Sequence, residues 1–317
     1  MNRSVLTILF IMYGITLFSQ QTAEFTQYML NKTYINPGAT GSCDALCITG
    51  IGRDQWMGLK DDSSRTINPR TYQISAEMPV YSIHSALGMS YEYDMIGFEK
   101  NTDFRLNYAY QIRIKKIQLL SFGITGEFMS KSIDFTQFKM FDQGDPLLAK
   151  LSVQKGNYTD FGFGVFYRYT DKLYAGVSGM QMLGSSATIG GAKYTRTPSY
   201  YFMAGYDFWL NKSQNSSLAL SPGILAKTSI SSNQVELNML LRYNEKYWGG
   251  VMYRPKDAAG VIAGVKVNNF SIGLSYDYTL SEMSKTSSKG SLEILLRYCL
   301  PLNEKVKMKG YYNPRYL

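Results

Sequence analysis

The stretch Phe270-Ser271-Ile272-Gly273-Leu274-Ser275-Tyr276-Asp277-Tyr278 decides the fold. Every second residue is large and apolar or aromatic, and the residues between them are Ser, Gly or Asp. A period of two places those sets on opposite faces of one extended strand. The same pattern recurs along the chain. Phe104, Leu106, Tyr108, Tyr110, Ile112 and Ile114 alternate with Arg105, Asn107, Ala109, Gln111 and Arg113. Phe161, Phe163, Val165, Tyr167 and Tyr169 alternate with Gly162, Gly164, Phe166 and Arg168. Val235 to Tyr243 and Leu292 to Tyr298 read the same way.

Alternation alone also suits a soluble sandwich. Three features point elsewhere. The runs reach about 10 residues, the length of tilted membrane strands, where globular strands centre on about 5–6. The small face carries charges of both signs among Gly and Ser, which fits a wet or plugged lumen better than a dry core. Aromatic residues gather near strand ends, as at Tyr91 and Tyr93, Phe208 and Trp209, and Tyr247 and Trp248, where interfacial girdles belong.

These signals predict an all-β, antiparallel outer-membrane barrel of about fourteen strands. The strands are expected at 44–54, 70–79, 83–94, 102–115, 117–130, 158–170, 172–180, 198–210, 217–227, 233–243, 246–254, 257–266, 268–278 and 290–300. Short turns such as 115–116 and 244–245 mostly alternate with longer connections such as 55–69, 131–157 and 181–197. Short periplasmic turns and long outer loops produce that asymmetry. It places both termini in the periplasm.

Composition agrees. The 317 residues include 26 Tyr, 16 Phe and 28 Gly, but only 9 Pro, 3 Cys and a single His. A lone His argues against a His-ligated metal centre, and three Cys cannot form a four-thiolate site. A hydrophobic fraction of 45% excludes composition-driven disorder. The mean hydropathy of −0.19 excludes a bundle of membrane helices. The formal charge of +9 suits an anionic membrane surface or nucleic acid. Export removes the usual nucleic-acid target, so no nucleic-acid partner is expected.

Residues 1–19 read as a secretory signal peptide. A short basic start containing Arg3 precedes an apolar run from Val5 to Phe18, and Ser19 offers a small residue for cleavage near Ser19 or Gln20. Residues 20–43 do not alternate and are expected as a periplasmic segment packed on or into the lower mouth of a barrel spanning 44–300. Residues 301–317 form a basic tail. The 131–157 connection carries Phe135, Phe138 and Phe141, which makes it the candidate partner-binding loop.

Single residues point to no catalytic, cofactor or metal site. His84 has neither a nucleophile nor an orienting partner in sequence. Asp61-Asp62-Ser63-Ser64 lacks the spacing of a calcium loop. Gly162-x-Gly164 is followed by no helix and is no phosphate cradle. Cys43 and Cys47 lie too far apart for a disulfide if extended, but a turn at Asp44-Ala45 allows one. Cys299 is expected as an unpaired, strand-borne thiol. Trp56 is expected to anchor the outer end of the first strand.

The two ends of the chain resemble the PorP/SprF family of type IX secretion-associated outer-membrane proteins. The matching residues are Gln27-Tyr28-Met29, Asn31, Asn36-Pro37 with Gly41-Ser42, and Arg53-Asp54-Gln55-Trp56-Met57-Gly58. Ser75 with Pro79 and Asn313-Pro314-Arg315-Tyr316-Leu317 complete the set. Gly38-Ala39-Thr40, Cys43 and Cys47 depart from the pattern. The resemblance implies an accessory barrel that assists export or surface anchoring of a secreted type IX cargo, such as a large gliding adhesin. It implies other type IX components as partners on the periplasmic side, outer-membrane lipid around the wall, and no cofactor. For Asn36, Pro37, Gly41, Arg53, Gln55, Trp56, Gly58, Pro79, Asn313, Pro314 and Arg315 it implies a structural or partner role. The competing reading is a solute or fatty-acid channel, motivated by the alternating-face charges Arg105, Arg113, Arg168, Glu127 and Glu236.

Overall fold

The computed structural model describes residues 23–60, 64–114, 117–137, 152–170, 172–213, 216–230, 232–281 and 288–302. The strands expected from alternation form one closed antiparallel wall. In chain order they are β1 (Ala45–Asp54), β2 (Arg70–Val80), β3 (Ser85–Ile96), β4 (Glu99–Ile114), β5 (Gln118–Asp134), β6 (Val153–Tyr169) and β7 (Leu173–Met180). After β8 (Ser186–Ile189) and β9 (Ala192–Thr195) come β10 (Ser199–Tyr206), β11 (Phe208–Lys212), β12 (Ser217–Ser229), β13 (Asn233–Tyr243) and β14 (Tyr247–Arg254). The wall ends with β15 (Ala258–Val267), β16 (Phe270–Thr279) and β17 (Ser291–Pro301).

Fifteen of these strands share one sheet. Consecutive segments β10 and β11 both pair with β12 and together make a single wall strand interrupted at Asp207. The wall therefore has fourteen strands, and it closes where β1 pairs with β17 from Ala45↔Pro301 to Asp54↔Leu292. Closure leaves no open sheet edge, the condition for spanning a bilayer with strands. Strands β8 and β9 form a separate small hairpin between β7 and β10.

One end of the wall carries short connections. The other carries the long ones, 55–69, 135–152, 181–198 and 280–290, together with three tight turns. The short-turn end is where β1 begins and β17 finishes. Strands β5 and β6 run further into the long connection than alternation indicates, to 17 residues each, so that connection starts at Phe135 and not at 131.

The two faces sort as a membrane wall requires. Along β16, Phe270, Ile272, Leu274, Tyr276 and Tyr278 all face outward and are exposed, while Ser275 and Asp277 are buried inside. Along β4, Leu106, Tyr108, Tyr110 and Ile112 face outward, while Arg105, Asn107 and Gln111 are buried. An apolar exterior around a charged interior inverts the arrangement of a soluble protein and matches a lipid-embedded barrel.

Closure corrects the expected cysteine chemistry. Cys47 is bridged to Cys299, with Cα atoms 4.1 Å apart, and Cys43 carries the free thiol. The Cys43–Cys47 bridge that a turn would allow is not formed, and Cys299 is not the unpaired thiol expected. The β1–β17 register sets Cys47 directly opposite Cys299, a contact between strands 252 residues apart that local spacing cannot reveal. The Cys43 Sγ lies 3.3 Å from the Cys47 Sγ. Burial pushes the Cys43 thiol up to about 12, so it stays protonated and a poor nucleophile at neutral pH. Alkylation after denaturation without reductant should label Cys43 alone, and reduction should expose all three cysteines. Labelling of Cys299 before reduction would contradict the bridge.

Candidate functional site

Residues 23–44 run inside the barrel. Ala23 lies toward the long-loop mouth, beside Glu92 and Asn101, and the segment leaves the lumen at the short-turn end, where Asp44 leads into β1. It is therefore neither a lead outside the barrel nor confined to one mouth. Three single-turn 3-10 helices, Tyr28–Leu30, Lys32–Tyr34 and Pro37–Ala39, compact it. Phe25, Tyr28, Met29, Tyr34, Ile35 and Ala39 form the buried apolar core together with inward wall residues such as Phe166, Met203, Leu240 and Leu295.

A backbone without regular structure must find partners for its polar groups once water is excluded. The wall supplies them. The Glu293 carboxylate accepts the Thr26 and Gln27 N–H groups at 2.8 and 2.9 Å. Arg105 donates to the Tyr34 carbonyl at 3.2 Å, Gln111 to the Thr40 carbonyl at 3.0 Å, Ser178 to the Ile35 carbonyl at 2.5 Å and Arg297 to the Leu30 carbonyl at 2.5 Å. Glu77 accepts the Thr33 hydroxyl at 2.7 Å and the Gly41 N–H at 2.8 Å. The mixed inward charges are thus matched to the donors and acceptors of this segment.

Arg53 is the centre of the arrangement. Its guanidinium reaches Asp277 at 2.8 Å and Glu293 at 3.1 Å, and it donates to the Thr26 hydroxyl at 2.9 Å. The Thr26 hydroxyl in turn donates to Asp277 at 2.6 Å. All four side chains are buried, Glu293 with no exposure at all. The network continues through Arg254, which pairs with Glu236 and Asp257 at 3.0 and 2.8 Å. Lys227 pairs with Glu24 at 3.1 Å. Burial alone would raise the Glu24 carboxyl, but Lys227 and Arg254 beside it outweigh burial and hold it below the ordinary carboxylate value.

Backbone approach sets a second constraint. The Asn36 side chain accepts the Gly38 N–H at 2.8 Å, capping the turn that Pro37 begins, and donates to the Val165 and Val177 carbonyls at 3.0 and 3.3 Å. This brings the segment against the wall where Gly123, Gly164 and Gly176 have no side chain. A Cβ on Gly123 would overlap the Pro37 carbonyl, one on Gly164 would overlap the Asn36 side chain, and one on Gly176 would lie 2.6 Å from Asn36 Nδ2. Glycine at these inward positions is what admits the segment. Gly41 adopts φ +67, and a Cβ there would meet Ala86 and Pro79.

The motif residues named from the sequence therefore converge. Asn36, Pro37, Gly41, Arg53 and Pro79 all lie where the inner segment meets the wall. Gln55, Trp56 and Gly58 lie past the end of β1. There the Gln55 N–H donates to the Pro69 carbonyl, the Trp56 N–H to Ser291 Oγ, and the Met57 N–H to the Gly290 carbonyl. Gly58 supplies φ +89 in that turn. This loop thus extends the β1–β17 closure. Phe135 packs against Gly190 at the tip of the β8–β9 hairpin. Phe138, Phe141, Asp61 to Ser63, residues 1–19, which were expected as a signal peptide, and Asn313, Pro314 and Arg315 fall outside the described residues. His84 sits at φ 50 in the turn before β3. Arg113 and Arg168 both reach Asp44 at 2.5 Å. The wall residues that sequence reasoning missed are Asp277, Glu293, Glu77 and Gly123. The first two were visible as acids on the small-residue face of an alternating strand.

A cavity of about 290 Å³ remains at the short-turn end, bordered by Lys32, Glu77, Arg168, Asp207, Arg242 and Arg297. Burial, reinforced by Arg297, holds the Lys32 ammonium down at about 8.

Residues 17–298 match the family model described as type IX secretion system membrane protein PorP/SprF. No curated protein matches the chain. Among solved structures, the CymD monoaromatic hydrocarbon channel aligns with a TM-score of 0.49 and 13% identity, over 92% of this chain and 96% of that one. The Ralstonia pickettii toluene transporter TbuX aligns at 0.47 and 10%, over 84% and 92%. A Pseudomonas aeruginosa FadL homologue aligns at 0.44 and 11%, over 83% and 92%.

Two outcomes test the packing. Gly123→Val should lower the barrel's unfolding midpoint by the equivalent of about 1–3 kcal/mol or more, as overpacking does. Gly126→Ala on the same strand, where a Cβ meets nothing within 4 Å, should change it little. Arg53→Ala leaves the buried Glu293 carboxylate without its cation and Asp277 with only Arg254, 3.9 Å away, which costs about 3–5 kcal/mol. Protease should then cut within 23–43 of the variant while the native protein resists.

Proposed function

We propose a function from one premise: the chain belongs to the PorP/SprF family of type IX secretion system membrane proteins. It acts as an accessory outer-membrane barrel that helps export a partner protein, or holds it at the cell surface, the partner being a secreted cargo such as a large gliding adhesin. The observation that supports this reading over conduction is the filled lumen. Residues 23–44 occupy the space a solute would cross, and they are held there by the Arg53, Asp277 and Glu293 network.

A barrel closed in this way meets a partner at its mouths and loops. The short-turn end faces the periplasm in this proposal, so the cavity bordered by Lys32, Arg242 and Arg297 stands toward the other secretion components. The long-loop end faces outward, toward the cargo. The family and the fold are those of a secretion-system barrel, and no enzyme activity is assigned.

The competing reading, a solute or fatty-acid channel, requires residues 23–44 to leave the lumen. Two measurements separate the readings. Deleting the gene should abolish surface display of one type IX cargo, and deleting only 304–317 should impair that display while the barrel still assembles. Liposomes holding the pure protein should take up sugars and amino acids no faster than empty ones. Normal display of every cargo, with rapid solute uptake, would favour the channel.

A further inference from the structure

Four cations line the cavity at the short-turn end: Lys32, Arg168, Arg242 and Arg297. Three of them are already paired. Arg242 meets Asp207, Arg297 meets Glu77 at 3.4 Å, and Arg168 meets Asp44 at 2.5 Å. Asp44 also takes Arg113, but that side chain lies outside the lining and is 29% exposed, so water screens its charge. Lys32 is different. Among the described residues, no carboxylate stands within ion-pair distance of it. Its ammonium donates to the Met29 carbonyl at 2.8 Å and rests over the Tyr174 ring, 4.5 Å from the centroid. An ammonium carries three donors, so two remain. The charge balance of the cavity is therefore one unmatched cation, and a charge taken out of water is tolerated when it is paired.

The rest of the lining is apolar. Phe166 and Tyr174 stack with centroids 6.1 Å apart, and Leu173 and Leu240 border the same space. The volume of about 290 Å³ is roughly twice the ~150 Å³ that takes a benzene ring. It holds a carboxyl group together with a body the size of one aromatic or branched aliphatic side chain, and it is too small for a long acyl chain. Thr170 and Leu173, which flank the turn between β6 and β7, place the cavity at the rim of the barrel.

We propose that this cavity is a binding site for a carboxylate monoanion that carries a compact apolar body, with the carboxylate on Lys32 and the body along Tyr174 and Leu240. Two sources present this chemistry: the terminal residue of a peptide chain, and a small free carboxylic acid. The site rests on its lining alone and not on the secretion reading.

Titration calorimetry on the purified full-length barrel in a non-ionic detergent tests it. N-acetylphenylalanine and hydrocinnamate are the two carboxylate probes. N-acetylphenylalaninamide, which keeps the ring and lacks the charge, should bind at least about tenfold more weakly than the acid, as loss of one charge-assisted hydrogen bond implies. Lys32→Met, which keeps most of the side chain's volume and removes its charge, should weaken the acid by a similar factor while gel mobility still shows a folded barrel. Tighter binding of N-acetylphenylalanine than of hydrocinnamate supports the site with a chain end as its source; the reverse order supports it with a free acid. Equal affinity for acid and amide, a comparison that needs no variant, would overturn the proposal. So would the absence of acid binding at millimolar concentration, tighter binding of inorganic phosphate than of either carboxylate, or affinity unchanged by Lys32→Met.

Discussion

The Arg53 guanidinium, held between Asp277 and Glu293 inside the wall, is the interaction on which the rest of the structure depends. It joins β1 to β16 and β17, on both sides of the closure, and through Thr26 and the Glu293 carboxylate it fixes the start of the inner segment. Charges this deeply buried are tolerated only when paired and hydrogen-bonded. Here each one has both. The network therefore specifies a position more than it adds stability: Thr26 and Gln27 sit where they satisfy both Glu293 oxygens and Asp277 Oδ2.

The lumen follows from the same accounting. A barrel of fourteen strands encloses more space than its own inward side chains fill. The N-terminal segment supplies the missing volume with Phe25, Tyr28, Met29 and Tyr34, and its irregular backbone then demands partners. Arg105, Gln111, Ser178 and Arg297 answer its carbonyls, while Glu293 and Glu77 answer its N–H groups. Where the two backbones touch, glycine at 123, 164 and 176 gives way. What looks in sequence like a polar channel lining is one half of an interface.

The wall was legible in the sequence because lipid imposes a period-two rule on every strand. Phe270 to Tyr278 obeys it residue by residue, and the face assignment there holds. Strand ends were less legible: β5 and β6 continue past 130 and begin before 158, because their polar last turns still pair with each other beyond the apolar band. The path of residues 23–44 could not be read, since no local period encodes a contact such as Thr26 with Glu293. Yet the family motif marked it indirectly. Asn36, Pro37, Gly41, Arg53 and Pro79 turn out to be neighbours across that interface. The cysteines show the opposite case, where closeness in sequence suggested Cys43 with Cys47 and the closure register joined Cys47 to Cys299.

The central claim is that residues 23–44 are a fixed part of the barrel interior. Hydrogen exchange on the native protein in membranes tests it most directly. Backbone amides of Thr26, Gln27, Gly38 and Gly41 should exchange as slowly as those of the neighbouring strands β1 and β16. Exchange of that segment at the rate of an unfolded peptide, beneath a protected wall, would contradict the account.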